Sequence, residues 1–110
     1  MNIQIFGSKK CFDTKKAVRY FKERRIKFQL VNILDKGLSK GEYRSVSQAV
    51  GGMDFLINEK SKEFYLLDHT TREHKEEILL ENPILFNTPI VRNGKQATIG
   101  YKPDIWKNWK

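Results

Sequence analysis

The sequence predicts an α/β domain: a β-α-β unit, a helical middle and a β-β-α ending, with a mixed four-stranded sheet. Three observations carry this. Apolar residues alternate near the start and again after residue 27, with a helical stripe between them. Two Ser/Thr-x-x-Glu spacings stand before apolar stripes in the middle. An Asn-Gly pair divides two alternating runs near the end.

The elements follow in order. Ile3 and Ile5 alternate with Asn2 and Gln4, and Phe6-Gly7 closes a short strand with a turn. From about Asp13 the period becomes helical: Ala17, Val18 and Phe21 form one stripe, with Lys15, Lys16, Arg19, Lys22 and Glu23 outside it. Phe28 to Ile33 reads as a second strand, so the first two strands pair in parallel across a helix. Ser39 and Glu42 have capping-box spacing before Tyr43, Val46 and Val50, and Gly51-Gly52 ends that helix because glycine accepts the left-handed conformation. Residues 53–58 are expected to form a loop, and Ser61 to about Leu67 a short helix. Thr70 and Glu73 form a second capping box before Ile78 and Leu79, and Pro83 limits the helix. Thr88 to Arg92 and Lys95 to Gly100 read as a hairpin around a type I′ Asn93-Gly94 turn. Pro103 and Asp104 then open a terminal helix carrying Ile105, Trp106 and Trp109.

Composition bounds what such a domain can be. The 110 residues suit a single domain spanning residues 1–110, and 39% hydrophobic residues supply a core. No apolar run reaches membrane-spanning length, and the N-terminus lacks the pattern of a secretory signal, so the chain reads as cytoplasmic with no membrane partner. One cysteine excludes an internal disulfide and a cysteine-only zinc site. His69 and His74 are five apart, not the i,i+4 spacing of two ligands on one helix face, so no metal is expected.

The formal charge is +8, and it is unevenly placed. Residues 1–30 hold nine Lys/Arg against Asp13 and Glu23, whereas the other 80 residues hold twelve against eleven. Such a run is either a solvated helix face or a surface for an anion or an acidic partner. No zinc-finger or RNA-binding aromatic motif accompanies it, which argues against direct nucleic-acid binding.

Cys11 stands in this basic segment, between a strand end and a helix start, beside Lys9, Lys10 and Lys15. Free N–H groups at a helix N-terminus and nearby cations both favour a thiolate, the nucleophilic form. A lone cysteine is otherwise often a core residue. A lysine-flanked loop is a poor place for a core residue.

The segment Ser8-Lys9-Lys10-Cys11-Phe12-Asp13-Thr14-Lys15-Lys16-Ala17 resembles the active-site loop of the ArsC/Spx family of thioredoxin-like proteins. Three further segments resemble that family in the same order: Phe28 to Ile33, Asn58 to Phe64, and Asn87-Thr88-Pro89-Ile90-Val91 followed by Ile99-Gly100-Tyr101. The resemblance spans essentially the whole chain. It implies a thioredoxin-like fold with a helical insertion after the first β-α-β unit, and a cis bond before Pro89 that presents the preceding backbone to a substrate beside the cysteine.

The resemblance also implies an activity. The expected function is that of an arsenate reductase-like, glutaredoxin-related monothiol oxidoreductase. Cys11 would be the nucleophile, and no cofactor would be bound. Thr14 stands where dithiol relatives have a second cysteine, so glutathione or another external thiol is needed to resolve the adduct. Its hydroxyl can donate to the thiolate or cap the helix. Arsenate reductases of the family hold their oxyanion with three arginines, where this chain has Lys60, Thr88 and Lys102. Lysine offers a point charge and not a bidentate fork. Gly7 replaces the histidine that precedes the cysteine by four positions in those enzymes. An anionic thiol held by Lys9, Lys60 and Lys102 would still fit, with Lys15 beside Cys11 and Pro89 shaping the groove. Glutaredoxin or thioredoxin would be partners in such a cycle. The resemblance implies an alternative as well: an Spx-like regulator whose partner is the RNA polymerase α subunit, met by the basic first helix.

Overall fold

A computed structural model describes residues 1–110. Strand β1 (Ile3–Gly7) leads through the Cys11 loop to helix α1 (Phe12–Glu23), which returns to strand β2 (Phe28–Asn32). β1 and β2 pair in parallel, in register from Ile3 opposite Phe28 to Gly7 opposite Asn32. A helical insertion follows, made of α2 (Ile33–Lys36), α3 (Lys40–Val50) and α4 (Arg72–Glu81), with 3-10 turns at Met53–Leu56, Phe64–Leu67 and Pro83–Leu85. The hairpin of β3 (Ile90–Asn93) and β4 (Gln96–Ile99) and the short helix α5 (Pro103–Trp106) complete the chain. The mixed sheet has the order β2-β1-β3-β4, with β3 antiparallel to both neighbours. This is the α/β, thioredoxin-like arrangement.

Strand alternation separates two cores. Ile3, Ile5 and Val91 face α1 and α5, where Ala17, Tyr20, Phe21, Trp106 and Trp109 complete one cluster. Phe6 and Ile90 face the insertion, where Ile33, Val46, Leu56, Leu79, Leu85 and Phe86 belong to a second. Burying each Ile, Leu, Val or Phe side chain among these stabilises the fold by about 1.5–3 kcal/mol before entropy is counted. The Trp106 indole N–H also donates to Thr98 Oγ1 at 2.8 Å, which satisfies its one polar group inside the core.

Several local expectations shift by a residue or two. Ile33 does not extend β2: the Asn32 side chain accepts the Leu34 N–H at 3.1 Å and starts α2 instead. Both halves of the Ser39–Glu42 capping box form, and Gly51 ends α3 at φ +101°. Residues 53–58 are not all loop, because Met53 and Leu56 are buried on one side of a 3-10 turn. Of the expected helix at 61–67, only Phe64–Leu67 is helical, again as a 3-10 turn. The second cap is Thr71, whose hydroxyl accepts the His74 N–H at 3.2 Å, and not Thr70. Two adjacent threonines offer caps one residue apart, and the sequence does not distinguish them.

The hairpin turn also moves. Asn93 is buried within β3, where its side chain accepts the Asn2 N–H and donates to Gln96 Oε1. That holds Asn93 in the ladder, and the two-residue loop becomes Gly94-Lys95. Gly94 at φ +59° takes the first central position while Lys95 keeps an ordinary φ, the pattern of a type II′ turn. Ile105 is exposed on α5, whereas Trp106 and Trp109 are buried.

Candidate active site at the Cys11 loop

The loop after β1 is a tight turn: the Cys11 N–H donates to the Ser8 carbonyl at 3.1 Å, and the Lys10 N–H to Ser8 Oγ at 3.3 Å. Cys11 is the extended N-cap of α1, with no side-chain cap of its own, and its carbonyl accepts the Lys15 N–H. The thiol therefore stands over the first turn of a twelve-residue helix, where backbone N–H groups are free.

Burial by itself pushes the Cys11 thiol up, because it disfavours the charged form. The Thr14 and Thr88 side chains and the Thr14 and Asp13 N–H groups oppose it. The donors outweigh the burial, and the pKa lies below that of an ordinary thiol. When protonated, the thiol donates to the Thr88 carbonyl at 3.5 Å. Thr88 is joined to buried Pro89 by a cis peptide bond.

Thr14 is 4% exposed and packs behind the loop, where its Oγ1 also accepts the Ser8 N–H at 3.4 Å. It occupies the space in front of Gly7: a Cβ at Gly7 would overlap the Thr14 side chain. Gly7 has no positive φ, so space and not backbone conformation is what excludes a larger residue there. A histidine at this position would be incompatible with Thr14 as it stands.

Two clefts of about 510 Å³ each meet at the loop. The first holds Cys11 together with Ser8, Lys9, Lys10, Asn32, Ile33, Leu34, Asn58, Pro83, Ile84, Phe86 and Thr88. The second runs along α1 and is lined by Gly7, Ser8, Lys9, Thr14, Lys15, Val18, Leu30 and Asn32. The fold thus brings Lys9 and Thr88 to the Cys11 cleft and sets Thr14 against the thiol. Lys15 lines the adjoining cleft, and its ammonium lies 5.4 Å from the centre of the Phe12 ring. Lys60 and Lys102 are exposed and line neither cleft. The Lys60 backbone is nonetheless tied to the site, since its N–H donates to Asn58 Oδ1 at 3.1 Å.

Sequence reasoning missed several of the residues that line the cleft with Cys11. Asn32 had a usable signal: it ends a strand parallel to β1, and ligands in such sheets gather at the carboxyl ends of parallel strands. Asn58 opens the segment Asn58 to Phe64 that the resemblance marks, whereas Pro83, Ile84 and Phe86 had no signal, because only the folding of the insertion brings them to Cys11.

These features can be set beside known proteins. The family model described as the ArsC family matches residues 6–109. The global transcriptional regulator Spx 2 of Oceanobacillus iheyensis is 29% identical over 128 aligned positions, covering 100% of this chain and 94% of that protein. An arsenate reductase from Vibrio cholerae superposes with a TM-score of 0.83 at 21% identity, over 96% of this chain and 94% of the other. The glutaredoxin-like NrdH-redoxin of Escherichia coli superposes at 0.52 with 16% identity, over 100% of this chain and 96% of that one, a likeness of fold. With the cysteine loop, the sheet order and this match over nearly its full length, the chain belongs to the ArsC family.

Proposed function

We propose that the protein is a thiol oxidoreductase in which Cys11 is the nucleophile and an external thiol such as glutathione is the co-substrate. The observation that supports this most directly is a thiol held below its ordinary pKa inside an open cleft. The Cys11 thiolate attacks one sulfur of a disulfide. A bond to Cys11 Sγ forms, the substrate S–S bond breaks, and the second sulfur leaves as a thiolate. Glutathione then attacks the mixed disulfide, forms a new disulfide and returns Cys11 as thiolate. Throughout, the Thr14 hydroxyl and the Asp13 and Thr14 N–H groups stabilise charge on Sγ. Lys9 favours an anionic substrate within the cleft, and Lys15, Lys60 and Lys102 add positive potential around it. An arsenate-like oxyanion is the alternative first oxidant.

The test is an alkylation-rate titration of Cys11, with mass spectrometry after exposure to glutathione disulfide and to arsenate. The expected result is an apparent pKa below about 8.5 and a glutathione adduct at Cys11. A pKa at or above that value with no adduct overturns the reading. A pKa lowered by folding contributes stability that is complete above the unfolded pKa and is lost as pH falls through the folded one. Wild-type stability relative to Cys11→Ser therefore rises with pH across that window.

A second reading is supported by the relatives named as global transcriptional regulators, which match 93% to 100% of the chain. In that reading the basic face of α1 meets an acidic surface, with the RNA polymerase α subunit as partner. Disulfide turnover that disappears in Cys11→Ser favours the enzyme. A specific polymerase complex that survives Cys11→Ser favours the regulator.

A further inference from the structure

Strand β2 is an open edge of the sheet. It pairs with β1 over five residues, and no main-chain N–H or carbonyl of Phe28 to Val31 bonds to anything on its other side. That leaves a row of free donors and acceptors roughly 17 Å long. Exposed edges are usually guarded by a charged side chain, a proline or a bulge. Phe28-Gln29-Leu30-Val31-Asn32 has no charge and no proline, and its register with β1 is unbroken. At the opposite edge of the sheet, α3 packs against β4.

The side chains along this edge grade from apolar to cationic. Phe28, Leu30 and Asn32 share the face toward α1. Leu30 is 53% exposed and lines the cleft along α1 with Val18. Lys9 and Lys15 line the same cleft with Asn32, and no acidic residue does. Lys27 stands just before the strand. The ion pairs of the structure are His74–Glu77 and Lys107–Asp104, so none of the nine cations in residues 1–30 has an acidic partner.

A second copy of the chain is a poor occupant of this edge. Pairing β2 with another β2 would bring together two segments that each hold nine Lys/Arg against two acidic residues. An acidic strand gains the same main-chain bonds and meets those cations as well.

We propose that β2 is a docking edge for an extended acidic segment of a partner protein. The segment adds as a fifth strand, lays one apolar side chain on Leu30 and Val18, and points a carboxylate toward Lys9 and Lys15. The contact needs no thiol chemistry, so it stands or falls apart from the role of Cys11.

The probe is acetyl-Glu-Thr-Val-Thr-Glu-amide, which presents valine between two carboxylates on one face whichever way it runs. It is titrated into the protein at low ionic strength, and backbone amide shifts and amide exchange are followed. Saturable shifts along Phe28 to Asn32 are expected, with slower exchange at the outward N–H groups of β2. The same peptide with lysine in place of both glutamates is expected to bind at least about tenfold more weakly. Two N-methylated forms read the main chain directly, one methylated at the valine and one at both threonines. Because alternate residues face the edge, one form should lose binding and the other keep it. Leu30→Glu, at an exposed position, should weaken binding about tenfold, whereas Ile105→Glu makes the same charge change on α5 and should keep it within about twofold. Shifts confined to residues outside β2, or equal binding of both N-methylated forms and the parent, overturn the proposal. So does slowing of the same β2 amides with rising protein concentration and no peptide, which would make a second copy the occupant.

Discussion

On the α1 face of the sheet the core is aromatic, whereas on the insertion face it is mostly aliphatic. Trp106 lies edge-on to Tyr20 at 5.2 Å and tilted against Phe21 at 5.1 Å, and Phe21 reaches Phe28 at 6.4 Å. The other face is filled mainly by Ile, Leu, Val and Met side chains from several elements, with Phe6 from β1 and with Tyr43 and Phe86 as the ring pair, 6.4 Å apart. Large rings let one helix and a few terminal residues cover their side. The opposite face needs many segments, and that is why the insertion can carry Asn58, Pro83 and Ile84 to the Cys11 cleft. β1 serves both faces, with Ile3 and Ile5 on one and Phe6 on the other, and the cysteine loop leaves from its end.

Breaking the aromatic face should have the largest effect. Trp106→Ala is expected to cost about 3–5 kcal/mol, read by denaturant unfolding, since it removes a buried ring and its bond to Thr98. A loss below about 1 kcal/mol would show that the face does not depend on interlocked rings. The seam between the faces should respond less. Gly7→Ala is expected to cost about 1–3 kcal/mol by overpacking against Thr14, and Thr14→Ala in the same chain should recover part of it. Strict additivity of the two substitutions would contradict the close packing of this pair.

The smallest effect is expected on the insertion face. The Tyr43 hydroxyl is buried and makes no hydrogen bond of good geometry, with the Ser47 side chain as its one polar neighbour for a weak contact. Tyr43→Phe should leave stability unchanged or raise it by up to about 1 kcal/mol. A loss greater than about 1 kcal/mol would reveal a hydrogen bond at that hydroxyl. The order of these three results sharpens the contrast: interlocked rings on one side, and a more forgiving assembly on the other.

Legibility in the sequence followed the same division. The β-α-β unit announced itself through strong periodicity, and the Ser39–Glu42 box and Gly51 marked α3 at both ends. The 3-10 turns did not, because each is too short to show a period. The Asn93-Gly94 expectation failed because a neighbouring strand and Asn2 hold Asn93 in the ladder, a constraint invisible to a local turn rule. At the site, Cys11 was legible because its chemistry depends on neighbours in the chain: a helix start, Thr14 and lysines. Lys60 and Lys102 were less so, since proximity to the sulfur depends on how the insertion and the C-terminus return.

The sequence by itself determined the order of elements, the lone nucleophile and its basic setting, because periodicity, capping and local charge act over a few residues. Only the tertiary structure decided the rest. It paired Gly7 with Thr14, turned the Thr88 carbonyl toward the thiol, and gave Cys11 an apolar wall drawn both from Ile33 and Leu34 and from the distant Pro83, Ile84 and Phe86. Those contacts arise from burying two faces of one sheet at once, a condition that no single segment encodes.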